Sequence, residues 1–249
     1  GDMDGDGHPE IAVSLDNGRP GSGVAAGVAL YDHLGRRLWQ KPQLLRNIAI
    51  GDLLSGGGQE LVAGGPGVEF RAYDKAGKEL TTFSAGAGLL EQFELADIDG
   101  DKATGVVASF KAEGRGDRMT LVCLREGKAL WETAVALAIP GATDASAWHA
   151  CGDFDPTKPG LETVLVGTHC VAMVDARGQP AYHSRPRGIG EYWERWTPDG
   201  INSLDIAFWD GPEPHLYLSS SRFRHPACYR LRHAPHDPLP TFQVPAEAR

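Results

Sequence analysis

Short runs of apolar, β-favouring residues punctuate this chain, and no stretch between them carries an apolar stripe of helical length. Ile11-Ala12-Val13, Leu61-Val62-Ala63, Val106-Val107-Ala108 and Val164-Leu165-Val166 are of this kind. Runs this short, bounded by Gly, Asp and Pro, predict strands. A parallel α/β sheet would need crossover helices between them, so the pattern predicts an all-β fold.

The strands come in repeats with two alternating signatures. The first is an acidic loop leading into an apolar run: Asp2-Met3-Asp4-Gly5-Asp6-Gly7-His8-Pro9-Glu10 before Ile11. It returns as Gly51-Asp52-Leu53-Leu54 leading to Glu60, as Asp97-Ile98-Asp99-Gly100-Asp101, and as Gly152-Asp153-Phe154-Asp155 leading to Glu162. Phe208-Trp209-Asp210-Gly211 is an eroded fifth copy. The second signature is a strand, a turn containing Gly, and a strand opening on a large residue. Tyr31-Asp32-His33-Leu34-Gly35, Tyr73-Asp74-Lys75-Ala76-Gly77, Arg125-Glu126-Gly127 and Val174-Asp175-Ala176-Arg177-Gly178 carry its turns. Such turns suit hairpins because Gly accepts the positive φ they require.

Successive acidic loops lie roughly 45 to 56 residues apart with about four strand patterns in each interval, the period of a four-stranded propeller blade. The expectation is a single β-propeller domain with about five visible blades, at 1–45, 46–90, 91–143, 144–200 and 201–249. The first blade lacks its innermost strand, so either a C-terminal segment completes it or more blades precede it, and a fragment of a larger propeller is the expectation.

Composition narrows the partners. The chain of 249 residues has a formal charge of −9, which argues against a nucleic-acid partner, since phosphate binding needs clustered Lys and Arg. No apolar stretch is long enough to insert in a membrane. The four cysteines, Cys123, Cys151, Cys170 and Cys228, contain no CxxC pair. They admit either disulfides or buried thiols, with Cys151 and Cys170 the best-placed pair, on neighbouring strands of one blade.

Much of the negative charge is concentrated in the acidic loops, and that points to a cation. Alternating carboxylates let positions 1, 3 and 5 converge, Gly at position 6 allows the sharp turn, and Ca²⁺ takes six to eight oxygens in flexible geometry. In the first loop the candidate ligands are Asp2, Asp4, Asp6, the carbonyl of His8 and Glu10. The third offers Asp97, Asp99 and Asp101, with Gly105 in place of the last carboxylate. The fourth offers Asp153, Asp155 and Thr157, and the second retains only Asp52 and Glu60 around a glycine tract.

These loops, with a carboxylate at the ninth position and a β-strand directly after, resemble the FG-GAP/VCBS repeats of integrin α-chain-like propellers. The Asp-x-x-Gly-x-x-Leu-Trp turns also resemble PQQ-like propeller repeats. Both resemblances imply a propeller, and the first implies bound Ca²⁺. The reading that follows is a calcium-stabilised binding or scaffold module, extracellular, cell-surface or periplasmic, that recognises a protein or glycan partner on its axial face. The alternative is a carbohydrate-active enzyme of the polysaccharide-lyase type. No GxSxG, HExxH or Walker A motif marks an enzyme. Candidate ligand-binding residues are His149, at the approach to an innermost strand, and the aromatic and basic segment Tyr182–Gly200. That segment contains His183, Arg185, Tyr192, Trp193, Arg195 and Trp196, a set suited to stacking on sugars or gripping an anionic partner.

Overall fold

The computed structural model describes residues 1–15, 27–42, 47–55, 58–65, 67–85, 88–111, 118–136, 147–167, 171–184, 203–207, 215–219, 227–233 and 240–243. Their regular structure is entirely β. The strands are β1 (Ile11–Leu15), β2 (Gly27–Tyr31), β3 (Arg37–Lys41), β4 (Asn47–Gly51), β5 (Glu60–Gly64), β6 (Glu69–Tyr73) and β7 (Glu79–Ser84). They continue as β8 (Leu89–Ala96), β9 (Gly105–Lys111), β10 (Arg118–Arg125), β11 (Lys128–Ala136), β12 (Ala147–Gly152), β13 (Glu162–Gly167), β14 (Val171–Val174) and β15 (Pro180–Ser184). The last four are β16 (Ser203–Ala207), β17 (His215–Ser219), β18 (Ala227–His233) and β19 (Pro240–Gln243).

Each sheet is a meander of consecutive strands. β1-β2-β3 form a three-stranded sheet, and β4-β5-β6-β7, β8-β9-β10-β11, β12-β13-β14-β15 and β16-β17-β18-β19 form four-stranded ones. The expected all-β architecture of four-stranded blades is therefore present, with the first sheet one strand short. Among the described residues no helix is long and apolar enough to cross a membrane.

The chain divides into two compact units, Gly1–Ala96 with Ala103–Phe110 and Val122–Glu132, and Asp97–Lys102 with Lys111–Leu121 and Thr133–Arg249. In the first unit the sheet β4–β7 is covered on both faces, which explains the unbroken burial of β5. Side chains alternate across a strand, so its neighbours divide by parity. Leu61, Ala63 and Tyr73 pack with Met3, Val28 and Leu30 on one face. Val62, Phe70 and Ala72 pack with Leu90, Phe93, Val106, Ala108 and Phe110 on the other. Phe70 is the hub of the second cluster, stacked on Phe83 at 5.3 Å and edge-on to Phe93 and Phe110. In the second unit Val164, Leu165, Ala172, Met173 and Val174 are buried in the sheet β12–β15.

The β-turns follow their sequence. Asp32, Asp74 and Asp175 each accept a hydrogen bond at the side chain from the backbone N–H four residues on, at 2.8 Å in each case. The β10–β11 turn is a two-residue hairpin, with φ of 48° at Glu126 and 76° at Gly127, the pair of positive angles that a type I′ turn demands.

One expectation about the cysteines is corrected. Strand β13 lies between β12 and β14, so Cys151 does not sit beside the strand that follows Cys170. Cys151 instead faces Thr163 in register, its Sγ 3.5 Å from Oγ1. Neither Cys151 nor Cys123 is in a disulfide. Cys170 and Cys228 lie, respectively, outside the described residues and in β18.

Candidate metal centre

The four acidic loops share a buried apolar residue. They stand ahead of β1, between β4 and β5, between β8 and β9, and between β12 and β13. The residue after the first Asp is apolar and buried in every copy: Met3, Leu53, Ile98 and Phe154. It acts as a plug that ties the loop to the core. In three copies the glutamate at or just before the start of the following strand is buried too and accepts the backbone N–H of that plug. Met3 donates to Glu10 at 2.8 Å, Leu53 to Glu60 at 2.8 Å and Phe154 to Glu162 at 2.9 Å. Glu60 also accepts from Leu54, and Glu162 from Asp155. A carboxylate that replaces water for buried N–H donors is a structural anchor in its own right. The sequence reading took Glu10 for a metal ligand and missed the anchoring role that it shares with Glu60 and Glu162. Its signal was the recurrence of Glu immediately before an apolar run.

In the first loop Asp2 accepts from the N–H of Gly5 at 2.8 Å and of Gly7 at 3.0 Å. Asp97 repeats this at the same spacings, from Gly100 at 3.0 Å and Lys102 at 2.9 Å. These bonds curl each loop so that its carboxylates converge. Asp2, Asp4 and Glu10 place oxygens within 4.8 Å of one another, and so do Asp97, Asp99 and Asp101. Asp6 is exposed and accepts from the N–H of His8, outside the convergent set. His8 itself is exposed, its ring stacked on that of His33 at 4.3 Å. Gly105 leaves the third loop without an anchoring glutamate. There the carbonyl of Ile98 accepts a hydrogen bond from the N–H of Leu161 at 2.7 Å.

The fourth loop is built differently. Buried Asp155 accepts from the backbone and hydroxyl of Thr157 and pairs with Lys158 Nζ at 3.2 Å. Burial raises its pKa, but the bonds from Thr157 and Lys158 outweigh that and hold it below the usual carboxylate value. Asp153 is exposed. Glu162 is wholly buried, and its second oxygen, Oε1, has no hydrogen-bond partner. Burial pushes its pKa up, the backbone bonds from Asp155 and Phe154 oppose that, and the charges of Asp155 and Asp153 add to the rise.

Lys75, from the β6–β7 turn, enters the first loop and was invisible to local sequence reading. Its Nζ pairs with the Asp4 carboxylate and lies 3.0 Å from Glu10 Oε1. The hydrogen bond from Lys75 holds Asp4 below the ordinary aspartate pKa, and the bonds to Asp4 and then Glu10 raise that of the lysine.

His149 lies inside β12, opposite Leu165, and is fully buried rather than placed on a connection. His183 lies in β15, and Arg185, Tyr192, Trp193, Arg195 and Trp196 lie outside the described residues.

No protein-family model and no curated protein matches this sequence. Among solved structures it is similar to the Cps50 (Swd1) β-propeller domain of Myceliophteria thermophila, with a TM-score of 0.52 and 14% identity, over 88% of this chain and 65% of that one. It is similar also to the PilY1 C-terminal domain of Pseudomonas aeruginosa, with a TM-score of 0.55 and 11% identity, over 91% of this chain and 58% of that one. The chain thus spans less than two thirds of each of these structures. At such identities the likeness shows the fold alone, and the fold is a β-propeller.

Proposed function

We propose that this chain is a propeller binding module whose acidic loops hold Ca²⁺, in the manner of FG-GAP/VCBS-type repeats, and whose partner is a protein or glycan. The observation that carries the cation reading is the convergence of two carboxylate triads, Asp2–Asp4–Glu10 and Asp97–Asp99–Asp101, at equivalent places in the repeat. Both donor sets are oxygen only, which suits a hard cation, and their flexible loop geometry suits Ca²⁺ better than the strict octahedron of Mg²⁺. Lys75 stands as an ammonium substitute for a cation against Asp4 and Glu10, so the first loop fits positive charge at that point. Bound Ca²⁺ would neutralise the clustered carboxylates and tie each loop to its blade. The fourth loop stays outside the proposal because, among the described residues, its acids form no convergent triad.

The module would act extracellularly, at the cell surface or in a periplasm, where Ca²⁺ sites with dissociation constants of about 10⁻⁴–10⁻³ M are of use. The partner assignment rests on Tyr192, Trp193, Trp196 and the three Arg of residues 185–200, an excess of recognition residues between two strands. The test is a calorimetric Ca²⁺ titration of chelator-treated protein, with Asp99→Asn/Asp101→Asn and Asp2→Asn/Asp4→Asn variants to resolve the loops. Binding that each pair of substitutions reduces, with a melting temperature that rises with Ca²⁺ by mass action, is the expected result. Absence of binding heat together with an unchanged melting curve would refute it.

A further inference from the structure

The first and third loops present similar carboxylate triads, and the first receives a charged residue from a neighbouring turn. In the first unit the β6–β7 turn leans on the preceding sheet. Trp39 Nε1 donates to the carbonyl of Lys75 at 2.9 Å, and a Cβ on Gly77 would lie 2.9 Å from the Trp39 ring. The turn is thereby seated on β3, and from that seat the Lys75 side chain reaches the loop ahead of β1. Its ammonium meets Asp4 and Glu10, and the Glu10 side chain is only 2% exposed. Two of the three convergent carboxylates are therefore already engaged by a positive charge that the protein itself supplies.

The other turns fit this pattern of charge. At the second loop, which keeps Asp52 but has Leu54 where the next acid would stand, the β10–β11 turn presents Glu126, with Oε1 3.4 Å from Ser55 Oγ. In the second unit, the turn after β14 carries Ala176 at the position that Lys75 holds in its own turn. Ala176 approaches the fourth loop's Gly160, which itself packs against Ile98 and Asp99. The lysine thus stands at the turn that reaches the acidic first loop, and its equivalent in the turn after β14 is Ala176.

We infer that Lys75 is the built-in cation of the first acidic loop and sets its affinity for divalent ions, which must displace the ammonium from Asp4 and Glu10 to bind. This rests on the reading of the loops as cation sites: the first loop binds a divalent ion more weakly than its own carboxylates would without Lys75. Displacement also couples the ion to the β6–β7 turn, because the released lysine belongs to the adjacent sheet. Such competition is negative coupling between two cations, which is typically worth about 5–150-fold in affinity.

The experiment uses the whole chain in an Asp99→Asn/Asp101→Asn background, so that the first loop dominates the signal, with Ca²⁺ itself as the probe. Lys75→Met keeps the aliphatic stem and removes the charge, and Lys75→Arg keeps the charge. Calorimetry should show Lys75→Met binding Ca²⁺ at least about tenfold more tightly than the lysine form, within the range expected for such coupling. Lys75→Arg should stay within a few-fold of it. In chelator, Lys75→Met should melt below the lysine form, and Ca²⁺ should restore it. Binding by Lys75→Met with none by the lysine form supports the inference in its strongest form. Equal, measurable affinities in all three would overturn the inference and leave the calcium reading intact. No binding by any of them would overturn it as well, and the calcium reading would then be judged on the third loop in the unsubstituted background.

Discussion

The indole N–H of Trp39 donates to the main-chain carbonyl of Lys75 across 2.9 Å, joining the outer strand of one sheet to a turn of the next. The same ring leaves no room for a side chain on Gly77, whose φ of 80° already disfavours one. Trp39→Phe should cost about 1 kcal/mol, the net worth of one hydrogen bond. Gly77→Ala should cost more, about 1–3 kcal/mol, because it adds backbone strain and a clash. Urea unfolding of both variants checks the order. A Gly77→Ala protein as stable as the parent would show that the turn is not seated on Trp39.

Glu60 provides a test of anchoring free of any metal, since the second loop lacks a carboxylate triad. Its Oε2 accepts from the N–H groups of Leu53 and Leu54, at 2.8 and 3.2 Å. Glu60→Ala should destabilise by about 1–3 kcal/mol for each donor left unsatisfied, and Glu60→Gln by less, because an amide oxygen still accepts. The difference should be the same with and without chelator. A chelator-dependent difference would show that Glu60 also serves a cation.

Glu162 predicts a pH dependence. Its folded pKa is raised, so its contribution to stability is fully present below the unfolded glutamate value and is lost as pH rises through the folded one. Glu162→Gln mimics the protonated form and keeps an oxygen for Phe154 and Asp155. The variant should therefore be at least as stable as the parent at pH 7, and its advantage should shrink as pH falls toward about 4.3, the unfolded glutamate pKa. Urea midpoints of both proteins across this range test the sign. An advantage that grows on acidification would contradict it.

Phe70 predicts the cost of opening the aromatic cluster. It is fully buried and touches three other phenylalanines. Phe70→Ala should cost about 3–5 kcal/mol, and Phe70→Leu distinctly less, by removing a larger or smaller part of the packed volume. Equilibrium unfolding decides this. A loss below about 1 kcal/mol for the alanine variant would mean that the sheets repack around the gap.

What the sequence determined by itself about this protein is what neighbouring residues settle among themselves. The Asp-to-backbone bonds of the acidic loops span three to five positions, from Asp2 to Gly5 and Gly7 and from Asp97 to Gly100 and Lys102. The turn bonds from Asp74 to Lys78 and Asp175 to Gln179 span four. Short-range chemistry of this kind recurs with the repeat, so the period, the all-β class and the convergence of Asp2 with Asp4 and of Asp97 with Asp99 and Asp101 were legible, whereas Asp6 and the fourth loop depart from the expected convergence. Tertiary structure alone decided which charges meet. Lys75 and Asp4 stand 71 residues apart and come together only because a turn of one sheet docks against the loop of another. The same docking makes Glu10 an anchor with one oxygen on Met3 and the other on Lys75. Burial of Glu162 and His149, and the strand interposed beside Cys151, likewise follow from how sheets assemble. A residue type declares what it can bond to; only the packed chain determines which partner arrives and whether water is excluded from the bond.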